Sequence, residues 1–463
     1  MNKRGMSRRE FLRLSAAGVT GLLATSCVPQ PTEVAPTEAV ATVAPPPEKV
    51  TVDWWYTWSG PSVVEALQAV ADRFNAKNDT IYVEGHSIPW EEVEAKLLTA
   101  IAGGEPPDIA ACISYVEFWA RGAMQPLDDL IAASEVIDKD DFLASAWQAG
   151  MWQGKTYGVP HVESYLRFGL VYNEDLVKDA GLDPDSPPQT WDEAFEWHEA
   201  ITKFDAAGNL ELLGFDPMDA MGGSGAGIVD PLFWPQSFGF KWWLEDGAEF
   251  AFDNPLFVEA LATIKRFYDH VGVEKMEGFR SSYGTWCMSP TSGIPAGVQA
   301  MVVTGYWAAA SLKQVAPGKK FRFTWPPNSS ERKGIKFQCT GGHYGSIPIG
   351  GNLEEAFKFV EYTTTEEASQ IIFEGSGFLG PRLSYLEKVD ASEVPGLEFF
   401  FNSATEADEM NAGLACPLSA FVYDQWVEAV DAVNFGDKTP EQAAQDIQEA
   451  CTKQLGEQFP ELT

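Results

Sequence analysis

Positive charge is what this chain has least of. Thirty-two lysines and arginines stand against 67 aspartates and glutamates, a formal net charge of −35 over 463 residues. A body this acidic repels phosphate backbones and anionic headgroups, which argues against nucleic acid and a charge-held membrane surface as partners. Histidine is scarce too, with five residues at 86, 161, 198, 270 and 343 and no ligand-like pair among them, so no metal site is expected. The six cysteines include no C-x-x-C, and neither a zinc ribbon nor a redox dithiol is suggested. The motifs H-E-x-x-H and G-x-S-x-G and the phosphate-binding loop are absent. Gly222–Gly227 misses the G-x-G-x-x-G spacing and reads as a mobile loop. No cofactor and no catalytic residue is therefore expected. With so many acids, chance carboxylate pairs are unavoidable and do not by themselves signal a glycosidase.

Long hydrophobic runs are missing as well. The stretch Leu14–Ala24 is far shorter than the roughly 20 residues that a spanning helix needs. It follows Ser7-Arg8-Arg9-Glu10-Phe11-Leu12-Arg13, and paired arginines before a short apolar segment are the layout of an export signal. The run resembles the twin-arginine translocation motif, whose usual last position is Lys. Leu22-Leu23-Ala24-Thr25-Ser26-Cys27 resembles a bacterial lipobox, with Ala24 where Leu normally stands. Residues 1–26 are expected to be a twin-arginine-type lipoprotein signal peptide, cut before a lipidated Cys27. Cleavage removes five basic groups and one acid, leaving about −39 on about 437 residues, enough for two or three domains. Residues 27–49, rich in Pro, Ala, Thr and Glu, have no core-forming pattern and read as a tether. It would reach roughly 70 Å as polyproline or roughly 25–30 Å as a flexible coil. The folded body is thus expected at the extracytoplasmic face of the cell membrane, held there through the lipid alone. Five cysteines remain beyond Cys27; Cys287–Cys339 and Cys416–Cys451 are candidate pairs, and an odd count leaves at least one thiol over.

The body begins as alternating elements. Val50–Tyr56 reads as a strand, and Pro61 opens a helix carrying Val63, Leu67, Val70 and Phe74 on one face. Ile81–Val83 is a strand, 92–102 a helix ended by Gly103-Gly104, and Asp108–Cys112 a third strand. This order predicts an α/β fold with a parallel sheet covered by helices. Thr190-Trp191-Asp192-Glu193 predicts a capping box, as does Thr439-Pro440-Glu441-Gln442. Phe257, Leu261, Ile264 and Phe267 mark a helix over 254–270. Asn352 and Thr364 begin two more, and Ala300–Thr304 is a strand.

Several segments carry a family resemblance. Val50–Gly60, Pro106-Pro107-Asp108-Ile109, Gly154–Pro160, Leu170–Leu176, Thr190–Glu193, Ala300–Trp307 and Gly341-Gly342-His343-Tyr344-Gly345 resemble, in order, landmarks of bacterial extracellular solute-binding proteins of the carbohydrate, maltose-binding-protein-like class. The resemblance spans about 50–460. It implies a two-lobed α/β fold of the periplasmic-binding type, with the ligand cleft between the lobes. It also implies delivery of a sugar or oligosaccharide to the permease of an ATP-binding-cassette importer by a monomeric receptor. By similarity, lobe one is 50–161 plus 300–340 and lobe two 162–299 plus 341–463. The hinge lies at 159–163, near 292–299 and at 340–345.

Parallel α/β sheets bind ligands just beyond the carboxyl ends of their strands. A sugar ring offers an apolar C–H face for aromatic rings and a hydroxyl rim for carboxylates and amides. The candidate ligand-binding residues are therefore Trp58, Ser59, Ser114, Tyr115, Glu163, Tyr165, Tyr306 and Trp307. Trp234, Trp286, Gly342, His343 and Arg382 join them by resemblance, Arg382 either on an acidic ligand group or in a lobe-bridging salt bridge. Trp54 and Trp55, inside the first strand, are expected in the core. Two other readings stay open: a secreted glycoside hydrolase using two cleft carboxylates, and a binder of the same fold for a peptide, polyol or metal.

Overall fold

The computed structural model describes residues 49–58, 60–111, 115–223, 233–412 and 416–462, without the side chains of 90, 91 and 115. The export signal, most of the tether, Cys27 and Cys112 lie outside these residues, as does most of the Gly222–Gly227 stretch.

Strand β1 (Val50–Tyr56) buries Val52, Trp54 and Tyr56 on one face. Helix α1 (Pro61–Lys77) starts on Pro61, whose missing N–H costs nothing at that position, and buries Val63, Leu67, Val70 and Phe74. Strand β2 (Ile81–Ser87), helix α2 (Trp90–Gly103) and strand β3 (Ile109–Ala111) follow. The three strands form a parallel sheet in the order β2-β1-β3. Trp54 is core, whereas Trp55 on the other face is only half-buried and donates from its indole to Asp53 at 3.0 Å. Successive strand residues alternate faces, so two adjacent tryptophans cannot share one core.

Strand β4 (Val159–Leu166) leads out of this region, and after only Arg167 and Phe168 strand β5 (Gly169–Asn173) enters a second sheet. That sheet adds β6 (Leu210–Phe215), β7 (Gln299–Thr304) and β8 (Phe321–Thr324), ordered β8-β5-β7-β6 with Lys203–Phe204 at the edge. Strand β9 (Phe337–Gly345) returns antiparallel to β4, and the chain re-enters the first region where Ser346 bridges Ala110. Every residue of β4 and β9 is buried, so this ribbon, which Glu409–Asn411 extends by pairing in parallel with the start of β9, runs through the interior between the sheets.

The pairing departs from the expected grouping of 300–340 with 50–161. Met301 faces Tyr172 and Phe323 faces Val171, so β7 and β8 belong to the sheet of β5. All six residues of β7 are buried, as an interior strand requires, but apolarity alone does not say which sheet supplies its neighbours. Conversely, helix Glu366–Ser376 packs on α1 of the first region.

Both capping boxes form. Thr190 accepts from the Glu193 backbone while the Glu193 carboxylate accepts from Thr190, and Thr439 and Gln442 repeat the arrangement. Among the described residues Cys287, Cys339, Cys416 and Cys451 are all buried, and neither candidate pair, Cys287–Cys339 nor Cys416–Cys451, is joined by a disulfide. Burial pushes the Cys287 and Cys451 thiols up to about 12, which starves them of the thiolate that exchange needs. No helix among the described residues is long and apolar enough to cross a membrane.

Candidate functional site

The β4–β9 ribbon holds a chain of buried, hydrogen-bonded polar side chains. Gly342 has φ +155°, and a Cβ there would stand 2.2 Å from the Glu163 carbonyl oxygen, so only glycine fits. Beside it the register shifts between Gly342 and Tyr344, an irregularity that re-aims side chains. His343 sits in that irregularity, its Nδ1 3.0 Å from Glu163 Oε2 and its Nε2 3.1 Å from Thr57 Oγ1. Tyr306, just after β7, donates from Oη to Glu163 Oε1 at 3.1 Å and accepts from the Leu379 N–H at 3.4 Å. The chain therefore ties the end of β1, both ribbon strands, the end of β7 and the 377–380 loop into one network.

Its protonation follows from burial and neighbours. Burial resists charge on Glu163, but the His343 N–H, the Arg167 guanidinium and the Tyr306 hydroxyl outweigh it and hold the carboxyl below its ordinary range. Burial drives the His343 imidazole below its ordinary value against the pull of Glu163. A carboxylate facing a neutral imidazole assigns the tautomer: Nδ1–H donates to Glu163 and Nε2 accepts from the Thr57 hydroxyl. Burial, then the charge of Glu163, raise the Tyr306 phenol well above its ordinary value, so it remains a donor.

Aromatic rings surround this chain. Trp58 lies 3.6 Å from the His343 ring, centroid to centroid, and 6.2 Å from Phe378. Tyr165 meets Tyr306 edge-on at 5.6 Å, and Tyr306 meets Trp307 at 5.6 Å. Trp286 is 5.9 Å from Trp307, and the Arg167 guanidinium lies over the Trp307 ring at 5.4 Å. Trp286 has φ +65°, a left-handed conformation costly for a bulky residue. It is held there by Asp219, whose Oδ1 accepts the Trp286 N–H at 2.7 Å while Oδ2 accepts from Gln299 at 2.9 Å. Burial first, then the negative charge of Asp216, push the Asp219 carboxyl up to about 6. Asp216 itself is paired with Arg280 at 2.8 Å.

The fold thus brings Trp58, Glu163, Tyr165, Trp286, Tyr306, Trp307, Gly342 and His343 into one cluster. Trp234 is elsewhere: it stacks on Trp191 at 4.5 Å and donates to the Gly222 carbonyl at 2.9 Å, in the core around the second sheet. Arg382 is elsewhere too. It donates to the Val136 carbonyl and to Thr364 Oγ1 at 3.1 Å, and lies 3.8 Å from Asp141, pinning segments of the chain together as a salt bridge would. Ser59 and Ser114 lie outside the described residues; Tyr115 opens the helix Tyr115–Ala120. A separate cavity of about 470 Å³, lined by Trp152, Trp243 and Glu245 among others, shares no residue with the cluster. Sequence reasoning missed Arg167, Thr57 and Asp219. A lone arginine inside the apolar run Tyr165–Tyr172 was the available signal for the first.

A family model described as "Bacterial extracellular solute-binding protein" matches residues 69–398. The chain belongs to this family. The solute-binding protein is accordingly an exported one, and its fold is the two-lobed α/β arrangement with the ligand cleft between lobes. CpMnBP1 with mannotriose bound superposes with a TM-score of 0.78 at 23% identity, over 87% of this chain and 99% of that one. The maltose/maltodextrin-binding domain MalE from Bdellovibrio bacteriovorus bound to maltotriose gives 0.68 at 19% identity, over 88% and 100%. Among curated relatives, a lactose-binding protein from Rhizobium radiobacter is 23% identical over 83% of this chain and 84% of its own length. A binding protein of Brucella abortus is 30% identical over 147 residues, 31% of this chain and 33% of the relative, so the match spans about a third of that relative's length. The family and these relatives are binding proteins.

Proposed function

We propose that this solute-binding protein captures a sugar or oligosaccharide between its lobes and delivers it to the permease of an ATP-binding-cassette importer. One observation carries the reading: a buried carboxylate–imidazole–phenol chain on the inter-sheet ribbon, with Trp58 and Trp307 just beyond the ends of β1 and β7 and Trp286 beside Trp307. Aromatic faces suit the C–H face of a pyranose, and ordered donors and acceptors suit its hydroxyls. Similar structures that hold mannotriose and maltotriose, and a lactose-binding relative, support the same class of ligand. The lobes in this reading are 50–160 with 346–386 and 166–337 with the final helices, hinged on β4 and β9. The receptor works as a monomer, tethered by 27–49 and a lipid on Cys27 after twin-arginine export.

The test is mass spectrometry of ligand carried through native purification, followed by titration of a sugar and oligosaccharide panel with tryptophan fluorescence and thermal melting. A bound glycan and a raised Tm are expected. A co-purified peptide, or a panel that moves neither signal, would remove the carbohydrate reading.

A further inference from the structure

Arg167 occupies the short link between β4 and β5, and it is only 5% exposed. Its backbone is fixed, the N–H donating to the Cys339 carbonyl at 3.0 Å. Its side chain is not. Nε and Nη1 are buried and have no hydrogen-bond partner. Its charge is felt by Glu163, whose pKa it helps to depress, but the hydrogen bonds to the Glu163 oxygens come from His343 and Tyr306. A guanidinium cannot shed its proton, so burying its N–H groups without hydrogen-bond partners is costly. The guanidinium lies over the Trp307 ring, so the N–H groups in its plane, Nε and Nη1 among them, are what it has to offer a hydrogen-bond acceptor.

We propose that Arg167 is a specificity-determining residue that receives an oxyanion carried on the sugar ring, a uronate carboxylate or a phosphate ester. The inference rests on the carbohydrate reading above and narrows it to acidic sugars. Trp307 and Trp286 would cover the ring face while the guanidinium fork of Arg167 takes the anion through charge-assisted bonds from its unpartnered N–H groups. A molecule with a net charge of −35 does not draw anions in from a distance, so the preference must be made at the site itself.

The test uses the mature full chain and matched probes: glucose, galactose and mannose, each beside its hexuronate and its 6-phosphate, titrated by calorimetry at neutral pH. One acidic member is expected to bind at least about tenfold tighter than its own hexose, and the arm that does so identifies carboxylate or phosphate. In R167Q that ratio should fall towards one; in R167K, which keeps the charge and loses the fork, it should fall part of the way. A hexose that binds the wild-type protein as tightly as its acidic partners overturns the inference without any variant. An unchanged ratio in R167Q overturns it as well. If all the probes and the wider neutral panel stay silent, the carbohydrate reading fails, and this inference with it.

Discussion

Glu163 and His343 share one hydrogen-bonding proton between buried side chains, and it stays on the imidazole because the His343 N–H, Arg167 and Tyr306 together keep Glu163 ionised against its burial. The reverse case is Asp219, an acid whose charged form is disfavoured but whose oxygens hold the strained Trp286. Its folded pKa, raised to about 6, lies above the unfolded value of roughly 3.9. The ionised group therefore costs stability above pH 6, and that cost fades as pH falls from about 6 to 4. D219N gives up one of the two acceptor oxygens and carries that penalty at every pH, but it cannot ionise, so its stability relative to wild type should improve by on the order of 2 kcal/mol between pH 4 and pH 7.5. Paired thermal melts across this range check the sign. Neither residue's role could be found locally: Asp219 stands 67 positions from Trp286, and Glu163 180 from His343.

At the scale of elements, the β4–β9 ribbon does the positioning, and Gly342 is its tightest point. G342A would drive a methyl group into the backbone at Glu163 and Ser164, which cannot move without breaking the ribbon. A loss of at least about 2 kcal/mol in chemical denaturation is expected, together with weaker ligand binding. G181A, at a positive-φ glycine with open space around it, is the control and should cost only about 1 kcal/mol. Helices were legible because capping chemistry and apolar spacing are local: Thr190, Asn254 and Thr439 begin theirs as their side chains predict. The strand order was not legible. A run such as Gln299–Thr304, buried throughout, shows that it is interior without showing beside what.

At the scale of the whole molecule, the proposed lipid anchor at Cys27 has a direct test. Intact-mass analysis of material from membranes is expected to give a chain beginning at Cys27 with added diacylglyceryl and acyl mass; an unmodified mature terminus would remove the anchor while leaving the binding fold untouched. The linear sequence by itself determined the acidic body, the α/β class, the family and most of the aromatic and polar residues of the cluster. Those follow from charge, periodicity and short motifs, all of which are written over a few neighbouring residues. Only the tertiary structure decided the sheet to which β7 and β8 belong, the removal of Trp234 and Arg382 from the cluster, and the burial of Arg167 with Nε and Nη1 lacking hydrogen-bond partners. Each of these depends on which distant segments share a low-dielectric interior, and no local pattern carries that information.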